Sequence, residues 1–278
     1  MPKTALLTVL LAGIAMPASA QEAPDIELWR LDCGTLQLSD SESFSDTHLY
    51  DGQPRELTDS CYLIRNGEKY LLWDTGLPDA LVGSSQTSGV YTITVGRSIA
   101  DQLGDLGLSP ADIDMVGISH YHFDHVGQLP SFPASTLLIG KGDFDAVKAA
   151  DGTGNVDPGP FAHWLKDGGG TVEPVAGDRD VFGDGSVTMI NAPGHTPGHH
   201  ALLVRLPHTG NVMLTGDLYH FEEQIENRGV PQFNTDRADT LASMHRFDQM
   251  ASKLDATIVI QHEPRQIQRL PIFPESAK

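Results

Sequence analysis

Met115-Val116-Gly117-Ile118-Ser119-His120-Tyr121-His122-Phe123-Asp124-His125 places three histidines and an aspartate directly behind an apolar run. Such a run reads as a buried strand, and residues two apart at a strand end point to the same side. His120 and His122 therefore converge on one point, while the turn at Asp124 aims Asp124 and His125 at a second. Without a cation, the cluster would repel itself when protonated and would hold costly polar groups beside an apolar strand when neutral. Solvated loop histidines would explain a single His-x-His, but not this density. One short loop is thus expected to feed two metal ions.

Three other apolar runs end in the same residue types. Val187-Thr188-Met189-Ile190 leads to Gly194-His195, Asn211-Val212-Met213-Leu214-Thr215 to Gly216-Asp217, and Thr257-Ile258-Val259-Ile260 to Gln261-His262. Each candidate lies just past the carboxyl end of a strand, where open sheets place their sites. The candidates beside His120, His122, Asp124 and His125 are therefore His195, with His199 and His200 a few residues on, Asp217, and His262 with Glu263.

In order and context, these residues resemble the metallo-β-lactamase superfamily, with Leu72-Trp73-Asp74-Thr75-Gly76 at the place of the family's early strand-turn. The resemblance spans about Glu27 to Pro264. It implies an α/β fold, an αββα metallo-β-lactamase sandwich of two mixed sheets with helices on the outer faces. It further implies a first metal held by His120, His122 and His195, a second by Asp124, His125 and His262, and Asp217 as the bridge. Within the family the chain looks most like N-acyl-homoserine lactonases, through Trp29-Arg30-Leu31-Asp32-Cys33-Gly34, His122-Phe123-Asp124-His125-Val126-Gly127 and His262-Glu263-Pro264. Where those lactonases carry a tyrosine three residues past the bridging aspartate, this chain has His220, preceded by Tyr219. Either side chain is a candidate to contact substrate.

The 278 residues, 40% hydrophobic and 20% charged, suit one globular hydrolase domain. Residues 1–20 read as a signal peptide: Lys3, an apolar stretch from Ala5 to Met16, then Ala18-Ser19-Ala20 before Gln21. The stretch is short for a membrane span, so export to the periplasm or secretion from a bacterium is expected, with residues 21–278 as the mature domain. In an oxidising compartment Cys33 and Cys61 either form a disulfide or remain buried thiols. The formal charge of −19 repels polyanions, which argues against nucleic acid and for a small neutral lactone or lactam. Nothing in the sequence fixes the oligomeric state, and a homodimer is allowed.

Strands are expected near residues 25–32, 60–66, 69–74, 114–119, 136–140, 171–175, 187–190, 200–206, 211–216 and 257–261, with helices near 97–106 and 236–254. Residues 141–170, rich in Gly and Pro yet carrying aromatics, read as an insert covering the site. Phe44, Phe132, Phe161, Trp164 and Phe221 are the candidates for an apolar substrate pocket. The expected cofactors are two divalent ions, zinc first, with iron, manganese or cobalt suiting the same donors. The expected reaction is opening of a homoserine lactone ring by a metal-bridging hydroxide, with Asp124 relaying a proton; the family likeness implies that Asp74 supports a ligand from behind, with a turn-capping aspartate as the alternative. A metallo-β-lactamase, a phosphotriesterase or thioesterase of the same fold, and a non-catalytic metal-binding protein are the alternatives.

Overall fold

The computed structural model describes Met1 and residues 25–152 and 156–278; the expected signal peptide, apart from Met1, lies outside these residues. The chain runs β1 (Ile26–Leu38), β2 (Arg55–Asn66), β3 (Lys69–Trp73), β4 (Ser84–Ser88), β5 (Tyr91–Val95), α1 (Ile99–Asp105), β6 (Met115–Ile118), α2 (Phe123–Val126), β7 (Thr136–Gly140), α3 (Lys141–Ala149), α4 (Ala162–Leu165), β8 (Val172–Val175) and β9 (Arg179–Asp180). It continues through β10 (Val187–Asn191), β11 (His200–Leu206), β12 (Gly210–Leu214), α5 (Glu223–Asn227), α6 (Arg237–Leu254), β13 (Thr257–Val259) and α7 (Pro264–Ile267). Eight strands form one sheet in the order β4-β5-β1-β2-β3-β6-β7-β8, and five form a second, β13-β12-β11-β10-β9. Both are mixed: β3, β6, β7 and β8 run parallel beside an antiparallel half, and β13 runs parallel to β12.

The strands are apolar at successive positions because both faces of each sheet are covered. Alternate residues go to different cores. Leu28, Ile64, Leu71 and Trp73 of the large sheet meet Val187, Leu202, Val212 and Val259 of the small one between the sheets. Leu63, Leu72, Val116 and Ile139 face outward onto Ile99 and Leu103 of α1 and Val147 of α3. On the far side Leu203 and Met213 pack under Met244 and Phe247 of α6. This is the expected αββα layering. The helix starts are capped as their sequences suggest: Ser98 and Asp101 bond reciprocally at α1, and Asp236 accepts from the Asp239 N–H at 2.9 Å.

Phe132, Phe161 and Trp164 depart from expectation. All three are buried in the outer core of the large sheet, so the part of 141–170 that is described packs against that sheet and does not cover the site. A polar hairpin, β4–β5, extends the large sheet past β1 instead. Cys33, at a bulge in β1 between Asp32 and Gly34, is disulfide-bonded to Cys61 of β2, with Cα atoms 5.9 Å apart. No helix among the described residues is long and apolar enough to cross a membrane.

Candidate metal centre

β6 ends at Ile118, and the chain then turns through Ser119 into the ligand loop. The turn is held from below by Asp74, just after β3. Its Oδ1 accepts from the Ser119 N–H at 2.6 Å, and its Oδ2 accepts from the Ser119 hydroxyl at 2.8 Å and lies 2.9 Å from His125 Nδ1. These bonds hold Asp74 at φ 60°, a left-handed conformation that aspartate tolerates better than most residues.

Two groups of ligand atoms converge above this turn. His120 Nε2, His122 Nδ1 and His195 Nε2 lie 2.9–3.1 Å from one another. His125 Nε2 and His262 Nε2 lie 3.3 Å apart, with Asp124 oxygens 3.8 and 3.9 Å from them. Asp217 spans the two groups: Oδ2 is 3.3 Å from His195 and 3.6 Å from His120, while Oδ1 is 3.1 Å from His125 and 3.0 Å from His262. The four residues His120, His122, His195 and Asp217 share one set of ligand distances, and Asp124, His125 and His262 share another.

The backs of the imidazoles show which nitrogens carry protons. His262 Nδ1 faces the Thr58 carbonyl at 2.8 Å, His195 Nδ1 faces Asn234 Oδ1 at 2.8 Å, and His125 Nδ1 faces the Asp74 carboxylate. Each partner is an acceptor, so each Nδ1 donates and the Nε2 lone pair points inward. Asp217 Oδ1 makes no hydrogen bond among the described residues, though two imidazole nitrogens flank it. Inward lone pairs around a bare carboxylate oxygen form a cation's donor set, and the residues fit two divalent ions.

In the metal-free chain protons divide unequally over the cluster, and an ion would displace those held on inward nitrogens. Burial pushes His120 and His122 well below the usual histidine range, with neighbouring imidazoles adding to the effect, so both rest neutral. Burial also opposes charge on His262, but Asp217 overrides it and lifts the ring to about 9. Asp217 stays ionised: desolvation disfavours its charge, yet His125 and His262 hold it well below the carboxylate range.

His199, which the sequence reading left without a role, fixes the bridge. Its Nδ1 donates to the Ala192 carbonyl at 3.0 Å, and its Nε2 accepts from the Asp217 backbone N–H at 3.0 Å. Gly216, at φ 52°, makes room, since a Cβ there would stand 2.7 Å from His199 Nε2. Asn234, behind His195, was equally illegible, because neither residue has a spacing signal.

A cavity of about 520 Å³ opens onto the cluster, lined by His122, Asp124, Asp217, His220 and His262 and walled by Leu36, Phe44, Leu57, Tyr91, Tyr121, Phe123, Phe233 and Thr235. A larger open groove along α6, about 1190 Å³, holds no converging ligands. Of the expected pocket residues Phe44 lines the cavity, whereas Phe221 packs behind Phe44 at 5.2 Å between ring centres. Tyr219 points the other way, its hydroxyl donating to Asp248 at 2.9 Å beneath α6, so it does not contact substrate from there. His220 does reach the site, with Nε2 3.0 Å from Asp217 Oδ2. Burial keeps the ring below the usual histidine range; with Nε2 donating to Asp217, the unpartnered Nδ1 is an acceptor and not the donor that a tyrosine would supply.

A sequence model of the metallo-β-lactamase superfamily matches residues 55–262. The N-acyl homoserine lactonase AttM of Rhizobium radiobacter is 36% identical over 176 residues, covering 60% of this chain and 65% of that protein, so the match spans under two thirds of its length. An N-acyl homoserine lactonase from a Bacillus species is 27% identical over 261 residues, covering 90% of this chain and 98% of that one. Among solved structures, an N-acyl homoserine lactone hydrolase with N-hexanoyl-L-homoserine bound at its catalytic metal centre superposes with a TM-score of 0.76 at 25% identity, covering 90% of this chain and 98% of that chain. The dizinc quorum-quenching lactonase AidC, 18% identical with a TM-score of 0.67 over 91% of this chain and 90% of its own, shares the fold.

Proposed function

The chain belongs to the metallo-β-lactamase superfamily, and from that premise we propose that it is a metal-dependent hydrolase that opens the lactone ring of N-acyl-homoserine lactones. The observation that carries this reading is Asp217, one oxygen facing each histidine group, at the floor of a cavity with an apolar wall. The relatives named as homoserine lactonases support the substrate class.

Two divalent ions, zinc in this proposal, supply a Lewis acid and lower the pKa of a shared water to about 7 when bound. The protein's own groups do the rest. The five imidazoles and Asp217 hold the reacting centre at the cavity floor. Asp124 borders both the second histidine pair and the cavity, where its carboxylate can take the proton released as water adds to the carbonyl and pass it to the departing ring alkoxide. His220 lines the cavity and bonds Asp217 Oδ2 through Nε2, so its part is to orient that carboxylate beside the substrate. Phe44, Phe123, Phe233 and Leu57 offer the acyl tail an apolar wall, with Phe123 and Phe233 partly open to solvent at its mouth.

Export through residues 1–20 is part of the proposal, and the Cys33–Cys61 disulfide suits an oxidising compartment. Amino-terminal sequencing of secreted or periplasmic material should begin at Gln21; an intact Met1 would refute export.

The deciding experiment counts metal per purified chain and follows acid release from homoserine lactones of several tail lengths beside a cephalosporin and a phosphotriester. Two metals with preferential lactone turnover are expected. Two metals with turnover of the cephalosporin or phosphotriester alone would assign another branch of the family, and metal without turnover would make the chain a binding protein.

A further inference from the structure

Asp143 lies in the first turn of α3 and is fully buried, on a helix whose other inward residues, Phe144 and Val147, are apolar. A carboxylate there is costly unless firmly held. Burial lifts its carboxyl to about 7 despite its hydrogen bonds, a measure of the desolvation the fold accepts to place an acceptor at this point. Its partners all belong to the two loops that carry the first histidine group. Oδ2 accepts from the Thr196 hydroxyl at 2.8 Å and Oδ1 from the Gly198 N–H at 2.6 Å, and the carboxylate faces the Tyr121 backbone N–H.

Thr196 follows His195, and Tyr121 stands between His120 and His122. The backbones also touch directly: a Cβ on Gly140 would sit 1.8 Å from the Gly198 carbonyl oxygen, and one on Gly198 would sit 2.4 Å from the Asp143 nitrogen. Asp143 bonds to none of the seven expected ligands. The second group, carried by α2 and the turn after β13, has its own supports: the Asp74 carboxylate behind His125 and the Thr58 carbonyl behind His262.

We propose that Asp143 is a positioning residue that ties the His195 turn to the His120–His122 strand end, so that the first metal's histidine group depends on the docking of α3 and the second group does not. The proposal rests on the two-metal reading. In it the start of the 141–170 segment serves the site from behind, by fixing the angle between two loops.

The test uses full-length wild type, Asp143→Ala, Thr196→Val, His262→Ala and the Asp143→Ala/His262→Ala double variant. Each is loaded with zinc, dialysed against graded chelator, and assayed for metal per chain, with circular dichroism to follow the fold. Asp143→Ala is expected to release one of two ions at about tenfold lower chelator, the range seen when an outer partner of a metal ligand is lost. The double variant should hold no ion under conditions where His262→Ala alone holds one. Thr196→Val, which deletes one hydroxyl at nearly constant volume, should shift the same ion by a smaller factor.

Equal weakening of both ions, or of neither, overturns the positioning role. Should Asp143→Ala fail to fold, an unchanged release profile in Thr196→Val overturns it, and a selective shift supports it. A folded wild type that holds no metal overturns the two-metal reading instead.

Discussion

Asp217 holds a position no neutral side chain could fill, with an oxygen on each histidine group and its backbone pinned by His199. Asp217→Asn replaces one oxygen by a donor that would point at an imidazole lone pair, so lactone turnover should fall on the order of 100-fold or more while circular dichroism is unchanged. Near-wild-type rates would exclude a bridging role. Asp74 acts one step back: Asp74→Ala frees His125 Nδ1 and the Ser119 turn, and metal counting should show the second ion about 10–100-fold weaker. The seven converging side chains could be read from the sequence because strand ends and a dense His/Asp motif constrain them locally. Tyr219 and His220 could not be told apart, since their directions depend on the kinked turn at Asp217 and on Gln224, which accepts from both the His220 and Phe221 N–H groups.

At the scale of elements, strands buried on both faces declared themselves as apolar runs, and β7 and β11 fall at the positions their sequences predict. β4 did not, because Ser84-Ser85-Gln86-Thr87-Ser88 is exposed throughout and owes its strand form to pairing with β5. β1 extends to Leu38, well beyond the expected end near residue 32, because β5 and β2 supply partners that no local pattern announces. The aromatics of 141–170 misled for a related reason: composition tells that they are buried, not under which face. Their placement yields a prediction opposite to that for a lid. Phe161→Ala should cost about 3–5 kcal/mol of stability, as large-to-small changes in a packed core do, and leave the KM for every tail length unchanged. Phe233→Ala, at the cavity mouth and 40% exposed, should raise KM for long acyl tails with little effect on denaturant unfolding. If the two phenotypes were exchanged, the assignment of the cavity wall would be wrong.

Across the whole molecule, the buried site couples protons, metal and folding. In the metal-free chain His262 is lifted from about 6.5 to about 9, so its protonated form is favoured in the folded state. Stability from that source is fully present below pH 6.5 and is lost as pH rises through 9. Metal binding runs the other way, because an ion must displace this proton, so metal affinity should climb with pH over the same window. Denaturant unfolding of metal-free wild type and metal-free His262→Ala measures the difference directly: the wild-type advantage should shrink from pH 6.5 to 9, whereas zinc-loaded wild type should gain stability over its metal-free form across that range. A wild-type advantage that is constant with pH would mean that Asp217 does not hold a proton on His262, and that its charge is balanced by the other imidazoles around it, His125 first.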